Sequence, residues 1–193
     1  MRRVLVTVAF FGLWIPAVAF AEFNYNAVDV GYSVAQIDNA PPYTELGAGI
    51  SKSTSGNTYI GGSFVFGKQN SDPTHSETKA YSVSARAGFH KPLNDHADII
   101  VEGRAIVGTA SKAGNSMSAN GYDFGAGIRK LFIPGFEGTL GLFHAKTPTG
   151  TLSNIDTYIK AQLGFNFTPK YQMIAVFNFK SDFTTYLGMR IFY

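Results

Sequence analysis

Ten ionisable residues of this 193-residue chain recur at one parity of alternating, strand-like stretches. Asp29, Glu45, Glu102 and Asp123 are acidic; Arg86, Arg104, Arg129, Lys160, Lys180 and Arg190 are basic. Brought to one enclosed face, such groups do one of two things. The expected arrangement is a narrow lumen largely filled by charged pairs that neutralise one another; the alternative is a narrow, weakly anion-preferring path. A turn near Leu93 and Asn94 sets Arg86 opposite Glu102, which predicts a cross-strand ion pair.

Two other groupings invite a chemical reading. Asp72, His75, Ser76, Glu77, His144, Asp156 and Asp182 are acid, base or nucleophile types in or beside polar stretches. General acid–base chemistry needs such groups held within about 3 Å of their partners, and no motif here imposes that. These types are also ordinary loop residues. His90 and His96 flank one turn without a third convergent ligand, so a turn or interfacial role is expected rather than zinc. Gly61-Gly62 and Gly125-x-Gly127 lie inside strand-like stretches, where glycine marks close approach or a bend rather than a phosphate loop. The chain has no cysteine, which excludes disulfides, thiolate metal sites and a cysteine nucleophile.

The elements that carry these residues are read from period-2 alternation. Ten segments show it: Asn24 to Gln36, Tyr43 to Ser51, Thr58 to Gly67, Lys79 to Lys91, Ala97 to Thr109, Gly121 to Phe132, Phe136 to Lys146, Thr157 to Phe167, Gln172 to Lys180 and Thr184 to Tyr193. In the eighth, Ile159, Ala161, Leu163, Phe165 and Phe167 oppose Tyr158, Lys160, Gln162, Gly164 and Asn166. Leu140 and Leu142 are assigned to the apolar face of the seventh. The ninth is apolar on both faces for part of its length, so its facing stays open. If the second segment belongs to a loop and another weak segment drops out, eight strands remain.

Residues 1–21 read as an address. Arg2 and Arg3 precede the uncharged run Val4 to Trp14, Pro16 follows, and Ala19-Phe20-Ala21 forms an A-x-A cleavage site. Cleavage there leaves 22–193 as one domain. Arg2 and Arg3 account for two of the 16 basic residues, so 14 remain against 13 acidic, and the net charge of +3 is largely a targeting feature. No basic cluster is left to favour nucleic acid.

The fold class expected is all-β, an antiparallel up-and-down transmembrane barrel. A soluble sandwich turns its polar face to water and should carry bulky Lys, Glu and Thr there. Here that face carries Gly, Ser and Ala, which suit a crowded closed interior. Connections alternate in length. Pro92 to His96, Ile133 to Gly135 and Thr168 to Tyr171 are short; Lys68 to Thr78, Ala110 to Asn120 and Thr147 to Asp156 are longer and polar. Lipid offers no hydrogen bonds to a free strand edge, so such a sheet must close. Tyr25, Phe89, Phe132, Phe167 and Tyr193 are expected in an aromatic girdle at the short-turn end, with Tyr32, Phe66, Tyr81 and Tyr122 toward the other.

The ending Tyr186-Leu187-Gly188-Met189-Arg190-Ile191-Phe192-Tyr193 resembles the C-terminal assembly signal of bacterial outer-membrane β-barrel proteins. Gly188, Ile191 and the terminal aromatic Tyr193 match; the family usually ends in Phe. The chain as a whole resembles its small, Gly- and aromatic-rich, porin-like members. The resemblance implies export through the periplasm, insertion by the outer-membrane assembly machinery, and contact with lipid and lipopolysaccharide. It brings no catalytic residue, cofactor or ligand. The expected role is structural or porin-like, as a monomer, in the outer membrane of a Gram-negative envelope. Recognition through the long loops is the alternative, and a rim hydrolase a more distant one.

Overall fold

The computed structural model describes residues 23–36, 41–54, 56–71, 76–118, 120–149, 152–179 and 183–193, with the side chains of 147–149 and 152–154 left aside. Eleven strands form: β1 (Ala27–Ala35), β2 (Tyr43–Ser53), β3 (Thr58–Gln69), β4 (Thr78–Asn94), β5 (Ala97–Lys112), β6 (Asn115–Ser118), β7 (Gly121–Ile133), β8 (Phe136–Thr149), β9 (Leu152–Asn166), β10 (Tyr171–Phe179) and β11 (Thr184–Phe192). Each of them except β6 pairs antiparallel with two neighbours, and β1 against β11 closes the ring. The barrel therefore has ten strands. The second and ninth segments are full members as β2 and β10, so the eight-strand alternative falls.

The strand β6 stands outside the ring and pairs with the end of β5 alone. Ala110 to Asn120, expected as a loop, is instead largely a hairpin. Ala113 and Gly114 turn it with φ of 50° and 82°. Positive φ at both central positions gives the turn whose twist matches flanking strands. The stretch from Thr147 to Asp156 is likewise mostly strand, because β8 and β9 stay paired to Thr149 and Leu152.

Alternation decides which face is which. Val30, Leu46, Phe64, Val83, Val107, Ile128, Leu140, Leu142 and Met189 point outward and are exposed. A continuous apolar belt on the outside is the arrangement a lipid solvent stabilises. The outward belt includes Met173 and Phe179 of β10, so Gln172, Ile174, Val176 and Asn178 face in. Phe89, Phe132, Phe167 and Tyr193 are exposed at the short-turn end, and Tyr32, Tyr81 and Tyr122 at the other, where Phe66 packs on Tyr81. Tyr25 departs from the expected girdle: its ring lies inside the mouth, as described below.

The small inner residues have a packing reason. Inward tyrosines lie flat over glycines of the next strand, Tyr43 on Gly67, Tyr59 on Gly88 and Tyr186 on Gly31. A methyl group at any of these glycines would overlap the ring. Phe143 covers Gly125 in the same way. An inner face of Gly and Ser lets a narrow barrel seat large rings without voids.

Candidate functional site: the barrel interior

The interior has two parts. At the short-turn end, where residues 23–26 and Tyr193 also lie, it is filled. Arg129 of β7 donates to Glu137 of β8 through Nε (3.1 Å to Oε2) and Nη2 (2.8 Å to Oε1), and both side chains are buried. Their proximity is local, since a two-residue turn at Pro134-Gly135 joins the strands. Residues 23–26, ahead of β1, fold into this mouth. The Tyr25 ring stacks between Tyr59 and His90, with centroids 4.7 and 4.3 Å away. Its hydroxyl donates to Asp98 (3.1 Å), which also lies 3.4 Å from His90 Nδ1. The Arg129 guanidinium sits over the rings of Phe23 (4.4 Å) and Tyr25 (5.1 Å). Desolvated cation–π contacts of this kind hold about 2 kcal/mol each.

Beyond this plug lies a cavity of about 270 Å³. Three carboxylates on its wall are bound. Asp29 of β1 accepts two hydrogen bonds from Arg190 of β11, at 2.7 and 3.1 Å. Glu102 of β5 accepts from Lys160 of β9 and from the Tyr59 hydroxyl, both at 3.0 Å. Asp123 of β7 accepts from Arg104 of β5 (3.0 Å) and from Tyr158 (2.9 Å). Lys160 also sits 4.5 Å from the Phe143 ring centre. Nearer the loops, Ser33 donates to Glu45 (2.7 Å) and Ser63 pairs with Ser84 (2.7 Å).

Asp29, Glu45, Arg86, Glu102, Arg104, Asp123, Arg129, Lys160 and Arg190 all face inward. Lys180 lies outside the described residues. The expected pair of Arg86 with Glu102 does not form across β4 and β5: Arg86 stands opposite Arg104, and Glu102 opposite Gly88. The reason is the turn. The strand β4 runs on to Asn94 through an irregularity at Pro92/Asn94, so the chain reverses at Asp95-His96 and the register moves by two.

Two buried carboxylates of the plug, Asp98 and Glu137, escaped the sequence reading. Simple parity finds them, since Asp98 is in step with Glu102 and Glu137 with Thr139 and Gly141. Asp156 also faces in. With these three the interior loses the basic excess that suggested anion preference.

Among the described residues the rim candidates do not converge. His144 lies on the outer face of β8, its Nδ1 3.0 Å from Thr157 Oγ1 and its ring beside Phe124, whereas Asp156 takes the opposite face of β9. Glu77 pairs with Lys68 and Lys79. Asp72, His75 and Asp182 lie outside the described residues. His90 is part of the plug. In β11, Gly188 faces in beneath Tyr186, while Ile191 and Tyr193 face out.

No family model matches the chain, and no curated protein does. Solved structures share its fold at low identity. The KdgM porin aligns over 86% of this chain and 99% of its own, with a TM-score of 0.53 and 8% identity. The translocator domain of the autotransporter NalP from Neisseria meningitidis aligns over 89% and 90%, with a TM-score of 0.50 and 12% identity. The fold is thus that of small outer-membrane β-barrels, a fold shared by proteins with different tasks.

Proposed function

We propose that the chain is an integral outer-membrane barrel with a structural or porin-like role, its lumen closed at the periplasmic end. One observation carries the reading: residues 23–26 occupy that mouth, with Tyr25 stacked between Tyr59 and His90 and roofed by Arg129. The apolar outer belt supports insertion in lipid, and the terminal Gly188, Ile191 and Tyr193 support assembly by the outer-membrane machinery. The short turns then face the periplasm, and the β5–β6 hairpin faces outward from the cell. That hairpin lies outside the ring, which supports surface recognition as a second reading. Catalysis is not part of the proposal, because His144 and Asp156 point to opposite faces.

The test is single-channel recording in a planar bilayer. Wild type is expected to be silent at low voltage. Phe23→Ala with Tyr25→Ala, which empties the mouth, is expected to give resolvable steps. Steady conduction by wild type, or silence from a folded, inserted double variant, refutes the plug.

A further inference from the structure

The four arginines of the interior are not alike. Arg129 grips a carboxylate through three hydrogen bonds and Arg190 through two, and their side chains are 6% and 14% exposed. Arg86 and Arg104 are 26% and 40% exposed, and both line the cavity. Arg104 has one hydrogen bond to Asp123. Among the described residues Arg86 hydrogen-bonds no carboxylate; it stands 3.8 Å from Asp29, whose two oxygens already serve Arg190. The two residues are cross-strand partners on β4 and β5. Their guanidinium groups diverge, Arg86 toward Asp29 of β1 and Arg104 toward Asp123 of β7.

Both keep N–H donors that their carboxylates do not take up, on side chains that line the cavity. Guanidinium groups present planar forks that match carboxylate and phosphate oxygens. Between the charged residues already named, the wall supplies uncharged donors and acceptors: Ser63, Ser84, Gln162, Asn178 and Tyr186. At about 270 Å³ the space takes a small polar solute rather than a polymer segment. We infer that the cavity is a binding site for a small, polar, oxyanion-bearing solute, its charged group held by the free donors of Arg86, Arg104 or both. The inference rests on the inner face being a water-filled lumen. It does not need conduction, because a cup closed at one end still binds.

Isothermal titration calorimetry in low-salt detergent micelles tests it, using protein purified from membranes after expression of the full chain. The probes are D-glucuronate, inorganic phosphate and neutral glucose. Both oxyanions are expected to bind, with glucose weaker by about tenfold or more. Arg86→Gln and Arg104→Gln are each expected to weaken the oxyanions by a similar factor, with far-ultraviolet circular dichroism unchanged. Equal affinity for glucose and glucuronate, no heat from either oxyanion at millimolar concentration, or unchanged affinity in both folded variants overturns the site. The wild-type comparison of charged and neutral probes decides it even if a variant fails to fold. Silence in the bilayer with oxyanion binding intact leaves this inference standing; conduction without binding removes it alone.

Discussion

Gly88→Ala is the sharpest test of how the interior is packed. The Tyr59 ring lies over Gly88, and a methyl group there would overlap it. The ring must move, and two interactions go with it. One is the hydrogen bond from its hydroxyl to the Glu102 carboxylate, about 1.5–3 kcal/mol for a charged acceptor. The other is the stack with Tyr25, about 0.5–1.5 kcal/mol. The expected loss is therefore about 2–4.5 kcal/mol. Gly103→Ala is the matched control, since its Cβ would meet Phe124 Cβ at 4.0 Å, an ordinary contact. Alanine in a strand is about 0.5–1 kcal/mol better than glycine, so Gly103→Ala should be neutral or stabilising. The assay is urea unfolding in lipid vesicles followed by circular dichroism and gel mobility, because the sole tryptophan is Trp14. In a Tyr59→Ser background the Gly88→Ala cost should largely vanish. Equal effects at Gly88 and Gly103, or a full cost without the Tyr59 ring, would refute the reasoning.

Other outcomes follow from the same geometry. Glu137→Gln leaves the buried Arg129 without its carboxylate and should cost about 3–5 kcal/mol in the same unfolding assay. Ala113→Gly removes a left-handed strain of about 1–2 kcal/mol, so amide exchange at Asn115–Ser118 should slow while global unfolding barely changes, because β6 lies outside the ring. Lys68 and Lys79 hold the Glu77 carboxyl below the usual glutamate range. Its contribution is present above the ordinary glutamate pKa and fades as pH falls through the lowered one. A carboxyl-carbon NMR titration should show that downward displacement, and Lys68→Gln with Lys79→Gln should abolish it.

Period-2 alternation is a local property, and it reaches as far as local properties can. Inward and outward residues along β1, β4, β7, β9 and β11 follow from it directly, and with them the small-residue interior; the choice of ten strands over eight came from the pairing of β2 and β10. It falters where the apolar signal is two-sided, as in β10. There the inward place of Gln172 is set by Arg190 across the β10–β11 pairing, 3.4 Å from its side-chain oxygen. It also falters at turns. Moving the β4–β5 reversal to Asp95-His96 set Arg86 opposite Arg104 instead of Glu102, because each step of a turn shifts both strands.

The pairings that define the interior were beyond the sequence for a further reason. Arg190 meets Asp29 across 161 positions, Tyr25 meets Asp98 across 73, and Lys160 meets Glu102 across 58. Closure of the ring brings these groups together, and no local pattern encodes which will meet. Tyr25 shows the contrast most plainly. Its type suited either an interfacial girdle or a buried stack, and both place an aromatic at the end of the first alternating segment. Tertiary structure chose the stack, because Tyr59, His90 and Arg129 converge on one mouth and offer the ring two flat partners and a cation at once. Alternation along the chain already encodes a barrel and its polar face. Closure of the barrel decided which charges are spent on one another and which remain facing the cavity.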